Sequence, residues 1–202
     1  ISMVSYPDFD LNKREKIVDL NFINRATKGV YELGSVFKTF TVAAGLEEGL
    51  INTDTEFLNL EKRLQCGKSS ISEYDNKIPS DLTVEQILIR SGNIGSVRIG
   101  QKLEIIKLKA FLEKIGILSK INFDIEEVGE PIPFKWGKCK LATVSFGHGI
   151  TTTPLQLAKA YAIISNGGFA VEPSLIKNEL KNYQKKKKNN QSWYFRENKP
   201  DT

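Results

Sequence analysis

With 202 residues, 40% of them hydrophobic and 26% charged, the chain is long enough to bury one sizeable core and has the balance of an ordinary globular domain. No apolar run reaches the roughly eighteen residues that a membrane-spanning helix needs, and no basic segment leads into an apolar stretch as in a signal peptide. The net charge is +5, and two distant cysteines, Cys66 and Cys139, with the single histidine His148 exclude a zinc cluster; two free thiols are expected.

Taken in order, Ile1 to Ser5 predicts the end of a strand, running into a turn at Tyr6-Pro7-Asp8. An opening on Ile1 without an initiator methionine suggests that residues precede it. Asn12 to Lys28 is polar and predicts a loop with a short helix. After Gly34, Phe37, Phe40, Thr41, Ala44 and Gly45 recur at spacings of three and four, which predicts a helix ending at Gly49. Its small residues Ala43, Ala44 and Gly45 suit burial on most sides. Asn52 to Pro79 has no helical period and predicts short strands and loops.

Thr83-Val84-Glu85-Gln86 forms a capping box, so a helix should run from Val84 to about Arg90. Ser91-Gly92-Asn93 follows as a sharp turn, permitted by Gly92. Ile94, Val97, Ile99 and Gly100 begin a second helix; Ile105 to Ile115 make a third, stopped by Gly116. Glu130-Pro131-Ile132-Pro133 is an extended connection, and Ser145 to Gly149 is a Gly-rich loop. Thr153, Pro154 and Gln156 open another capped helix, with Leu157, Ala160, Tyr161 and Ile164 on one face and an end at Asn166-Gly167-Gly168. Leu175-Ile176 is a short strand candidate. From about residue 181 to 202 the pattern is lost, which predicts a basic, polar and poorly ordered tail. Its run Lys185 to Lys188 reads as solvated, and with no aromatic residue before Trp193 it makes no stacking platform; a nucleic-acid partner is not expected.

The chemistry centres on Ser35 and Lys38. Three apart on a helix, they share a face, and Ser35 falls in the first turn, where free amides and the helix dipole favour negative charge. A lysine buried beside a serine has its charged form disfavoured, and its neutral amine can accept the serine proton. The plain alternative is an N-cap serine with a surface lysine. At Ser91-Gly92-Asn93, a hydroxyl could relay a proton and a carboxamide could bind a substrate amide; the alternative is a turn that caps the next helix.

In their order and surroundings these motifs resemble one family. Asn24-Arg25-Ala26-Thr27 with Tyr31 to Lys38, and Ile1 to Asp10 before them, are similar to the nucleophile segment of class B penicillin-binding proteins. Leu82 to Gln86 with Arg90 to Gly95 resemble that family's second motif. Ala142 to Gly149 with Thr152 to Ala158 resemble a third family segment. SxxK, a Ser-x-Asn element and Lys-Thr-Gly form the set shared with class A β-lactamases. The septal, division-specific transpeptidases are the best match, over residues 1 to 176.

The resemblance implies an α/β fold of the α+β kind, helices packed on a mostly antiparallel sheet, with the site between sheet and helical lobe. It implies a peptidoglycan D,D-transpeptidase with Ser35 as nucleophile, Lys38 as base, Ser91 passing the proton to the leaving D-alanine and Asn93 positioning the acyl-enzyme. The Ser35 amide would be one half of the oxyanion hole. No metal or organic cofactor is implied. Partners would be peptidoglycan stem peptides, β-lactams and division-complex membrane proteins. The place would be the periplasm, on the outer face of the inner membrane, held by an N-terminal helix outside these residues. His148 reads as a loop residue without a catalytic part.

The match departs at one point. No Lys-Thr-Gly or Lys-Ser-Gly occurs, and Gly67-Lys68-Ser69-Ser70 has the wrong order and comes too early. In the family that strand supplies a wall of the groove and the other oxyanion amide, so residues 1–202 are expected to form a partial, incomplete domain, truncated rather than degenerate. A D,D-carboxypeptidase or β-lactamase of the same fold, and a non-catalytic scaffold, remain the alternative readings.

Overall fold

A computed structural model of the chain describes residues 3–7, 10, 12 and 22–176. The tail from 181 and most of the predicted loop between Asn12 and Lys28 lie outside the described residues. Secondary structure runs in the order β1 (Tyr31–Glu32), a 3-10 turn (Gly34–Phe37), α1 (Lys38–Glu47), β2 (Glu56–Phe57), β3 (Arg63–Cys66), β4 (Ser69–Ser72) and β5 (Leu82–Thr83). Then come α2 (Val84–Ile89), α3 (Asn93–Lys114), α4 (Lys138–Val144), β6 (Thr151–Thr152) and α5 (Pro154–Ser165). Helices dominate, and the strands pair two by two, β2 with β5 and β3 with β4 both antiparallel.

The described residues divide into two compact units, one of residues 32–114 and 133–151, the other of those described within 1–31, 115–132 and 152–176. In the first, α1 packs on α3, and α3 also carries α4. The predicted burial of α1 is found: Phe40, Thr41, Val42, Ala43, Ala44 and Gly45 are all buried, and Phe37 meets Phe40 edge to face. Ile94, Val97, Ile99, Leu103, Leu108 and Leu112 of α3 are buried with them. Each fully buried aliphatic side chain of this kind stabilises the fold by about 1.5–3 kcal/mol.

Both halves of the Thr83–Gln86 capping box are made, with hydrogen bonds of 3.0 and 3.2 Å. The two helical patterns read after Ile94 and after Ile105 meet at Glu104, whose φ of 60° and ψ of 173° interrupt α3 between them. A side chain in that region is strained, because L-residues there crowd their own backbone. The β3–β4 hairpin closes on Gly67-Lys68, with Gly67 at φ 61°, the left-handed first position that a two-residue hairpin turn demands. Helix α4 has no counterpart in the predicted elements: its first residue follows Gly137, which offers no capping side chain, so the usual start signal is absent.

One expectation is overturned in this unit. Cys66, at the end of β3, and Cys139, in α4, are not free thiols but a disulfide, with Cα atoms 5.4 Å apart across 73 residues of sequence. Nothing local brings them together; the packing of the hairpin and α4 does, which is why spacing could not reveal the pair.

In the second unit the backbone of Thr27 accepts the Gly129 amide and that of Ala26 accepts the Leu155 amide, which ties three separate segments together. Thr153 caps α5 by accepting from the Gln156 amide at 3.2 Å, and Pro154 sits at its first turn as expected. The box is only half made: the Gln156 side-chain oxygen does not accept from the Thr153 amide in return, and the Gln156 Nε2 is buried without a hydrogen-bond partner. Two strand expectations fail. Leu175-Ile176 is a bend, held by the Asp124 carboxylate, which accepts from Ser174 and the Leu175 amide and lies below its usual pKa for that reason. Of the stretch from Ile1 to Ser5, Met3 to Ser5 form no strand and the first two residues lie outside the described ones.

A double Cys66→Ala, Cys139→Ala variant is expected to lose about 2–4 kcal/mol of stability, since the bridge closes a long loop of the unfolded chain. Urea denaturation of the two proteins, compared by midpoint at equal slope, checks this.

Candidate active site

Lys38 is the first residue of α1, one turn after Ser35, and the rise of the helix turns both side chains to one side. The register is fixed from behind. The Gly34 amide donates to the Gly147 carbonyl at 3.0 Å. Gly147 has φ 89°, and a Cβ there would lie 1.9 Å from the Gly34 carbonyl oxygen. Only glycine fits, so the Ser145–Gly149 loop serves as a backbone brace under the nucleophile turn. Gly34 itself, at φ 57°, breaks the strand direction and starts the turn.

The second motif is positioned by the end of α2. The Ser91 amide donates to the Leu88 carbonyl and the Gly92 amide to the Ile87 carbonyl. These are the two bonds of a Schellman stop, in which the residue after the C-cap is left-handed and usually glycine. The left-handed residue is Ser91, at φ 53°, and not Gly92 as the sequence suggests. A non-glycine residue costs about 1–2 kcal/mol in that conformation. In return, the Ser91 carbonyl and hydroxyl are both turned toward Lys38.

The result is one cluster. Lys38 Nζ lies 3.2 Å from Ser35 Oγ, 2.9 Å from Ser91 Oγ, 2.5 Å from the Ser91 carbonyl oxygen and 2.7 Å from Asn93 Oδ1. Lys38 is 1% exposed whereas Ser35 is exposed, which suits a buried base behind an accessible nucleophile. Burial pushes the amine down from 10.5 to about 8, against the opposing negative charge of Glu73. At pH 7 roughly one lysine in ten is then neutral.

All four residues singled out from sequence, Ser35, Lys38, Ser91 and Asn93, are thus together. Asn93 is more constrained than expected: its Nδ2 already donates to the Ser72 carbonyl at 2.9 Å, which leaves one N–H for a ligand. His148 stands apart. Its Nδ1 faces the Glu32 carboxylate at 3.3 Å and its ring stacks on Phe146. An open groove of about 520 Å³ leads away from Asn93 between Ser70 and Ser72 on the hairpin and Thr143 and His148 on the other side, with the Cys66–Cys139 bridge in its wall. Sequence reasoning missed Glu73, whose carboxylate accepts from the Asn93 and Ile94 amides. It sits in no motif, and twenty residues of chain separate it from Asn93. No cluster of side chains suited to hold a metal ion occurs among the described residues.

Comparison with known proteins shows the family of the chain as a whole. The family model described as the penicillin binding protein transpeptidase domain matches residues 1–197. A relative in Caulobacter vibrioides named probable peptidoglycan D,D-transpeptidase FtsI is 32% identical over 169 residues, covering 83% of this chain and 28% of the relative. The peptidoglycan D,D-transpeptidase FtsI of Buchnera aphidicola subsp. Schizaphis graminum is 28% identical over 191 residues, covering 92% of this chain and 33% of the relative. The chain therefore spans about a third of the length of such relatives or less. Among solved structures, the apo TP domain of Burkholderia pseudomallei penicillin-binding protein 3 superposes with a TM-score of 0.72 at 23% identity, over 78% of this chain and 48% of that one. At that identity the likeness establishes the fold.

The left-handed Ser91 gives a test of the geometry. Ser91→Gly and Ser91→Ala both remove the hydroxyl, so their difference isolates the backbone. The glycine variant is expected to be more stable than the alanine variant by about 1 kcal/mol in urea denaturation.

Proposed function

Because this chain belongs to the penicillin-binding-protein transpeptidase domain family, we propose that it carries the acyl-transfer centre of a peptidoglycan D,D-transpeptidase acting in septal wall synthesis. The observation that carries this reading is the meeting of Ser35 Oγ, Ser91 Oγ and Asn93 Oδ1 around the buried amine of Lys38.

The chemistry follows from which neighbours can donate. The Ser91 carbonyl and Asn93 Oδ1 can only accept, so they take up the two N–H bonds of the neutral amine. The lone pair is then left to face the two hydroxyls. Ser35 Oγ gives its proton to that lone pair and attacks the carbonyl carbon of the D-Ala–D-Ala amide. The resulting oxyanion needs amide donors, of which the Ser35 backbone supplies one. As the C–N bond breaks, the proton passes from Lys38 through Ser91 Oγ to the departing D-alanine amine, and the stem peptide remains as an ester on Ser35. The amine of a second stem peptide then attacks the ester, forming the cross-link and returning a proton to Ser35 Oγ. A β-lactam would enter the same path, opening its ring onto Ser35 without a leaving group that departs.

Stem peptides and β-lactams are accordingly the proposed ligands, and division-complex membrane proteins the proposed partners. The proposed location is the periplasm, on the outer face of the inner membrane. The Cys66–Cys139 disulfide supports an oxidising compartment. No helix among the described residues is long and apolar enough to cross a membrane.

Intact-mass spectrometry after incubation with a penicillin tests the reading, on this chain and on a version extended with a Lys-Thr-Gly strand. A single adduct that Ser35→Ala abolishes is expected. A folded, extended protein that takes no adduct would overturn the catalytic reading in favour of a scaffold. The acylation rate is further expected to rise about tenfold per pH unit below pH 8 and to level off above it, because the reactive form is the neutral amine and its population grows as pH rises through about 8. Rates measured from pH 6 to 9.5 would show a flat profile if Lys38 were not the base.

A further inference from the structure

We propose that Glu73 is a positioning residue of the acyl-transfer centre, whose carboxylate fixes Asn93 against Lys38 and places a negative charge beside that amine. The proposal rests on the reading of Ser35 as nucleophile and Lys38 as base.

Glu73 directly follows Ser72, the last residue of β4. Its Oε2 accepts from the Asn93 amide at 2.6 Å and its Oε1 from the Ile94 amide at 2.9 Å. Both amides belong to the first turn of α3, where helical bonding leaves N–H groups without partners. A carboxylate there is favoured by the helix dipole and makes short, charge-assisted bonds. The preceding residue completes the grip, since the Ser72 carbonyl takes the Asn93 Nδ2. Asn93 is therefore held by its backbone and by one end of its carboxamide. That leaves Oδ1, not Nδ2, to face Lys38. Turned over, the carboxamide would aim its N–H bonds at an ammonium, and a contact needed for catalysis would become repulsive.

The same carboxylate acts on the base. Among the described residues Glu73 is the charged side chain that acts on Lys38, and it opposes the larger effect of burial. The other groups around the amine are the hydroxyls of Ser35 and Ser91, the Ser91 carbonyl and the Asn93 carboxamide, none of which ionises in the relevant range. With the Glu73 charge removed, burial would act unopposed, and Lys38 would lose its proton at a lower pH.

Glu73→Gln keeps the shape and removes the charge, whereas Glu73→Asp keeps the charge and shortens the reach. Two readouts apply to the full chain: titration of the Lys38 amine by NMR of lysine-labelled protein, and the pH dependence of penicillin acylation. For Glu73→Gln the Lys38 midpoint is expected to fall below about 8, and the limiting acylation rate to fall about tenfold or more. For Glu73→Asp the midpoint is expected to stay and the rate to fall. A rate loss in Glu73→Gln at an unchanged midpoint would reduce Glu73 to a structural cap and overturn the proposal, as would a profile identical to the parent's. If the parent is not acylated while the Lys38 midpoint moves, the acyl-transfer reading falls and the placement of Glu73 charge on Lys38 stands. Should Glu73→Gln not fold, Glu73→Asp decides: a rate loss at the parental midpoint supports the proposal, and a parental rate overturns it.

Discussion

A primary amine buried to 1% exposure has to find partners or lose its proton, and the site is organised around that constraint. Lys38 does both in part. It contacts four oxygen atoms from three residues, and burial brings its pKa to about 8. Those oxygens come from the 3-10 turn, from the turn after α2 and from the start of α3. The amine thus holds together segments that are more than fifty residues apart in the chain.

The parts that hold these segments are themselves built on backbone exceptions. Gly147 is admitted where any side chain would collide with the Gly34 carbonyl. Ser91 occupies the left-handed position where glycine is usual. Local preference is overridden at these points because the site needs an oxygen or a close approach that the preferred residue or conformation would not supply. The β3–β4 hairpin enters through the same logic. It delivers Ser72 and Glu73 to Asn93, and the Cys66–Cys139 bridge fastens it to α4.

A base of this kind works with a limited reserve of neutral amine. Burial raises the neutral fraction, and the Glu73 carboxylate lowers it while ordering the turn that the base contacts. The balance places the amine near the pH at which it operates, where a proton can be both accepted and released without a large energetic step.

Much of this was legible in the sequence by itself. The spacing of Ser35 and Lys38, the capping box at Thr83, the two helical patterns on either side of Glu104 and the buried character of α1 are local or periodic properties, and short-range geometry dictates them. The resemblance of ordered motifs identified the family and brought Ser91 and Asn93 into the site. Tertiary structure alone decided the rest. It paired Cys66 with Cys139, moved the left-handed turn residue from Gly92 to Ser91, and recruited Glu73 from a hairpin with no motif. It also denied strands to Met3–Ser5 and Leu175-Ile176. Each of these depends on contacts between residues far apart in the chain, or on partners competing for a backbone group, and neither spacing nor propensity carries that information.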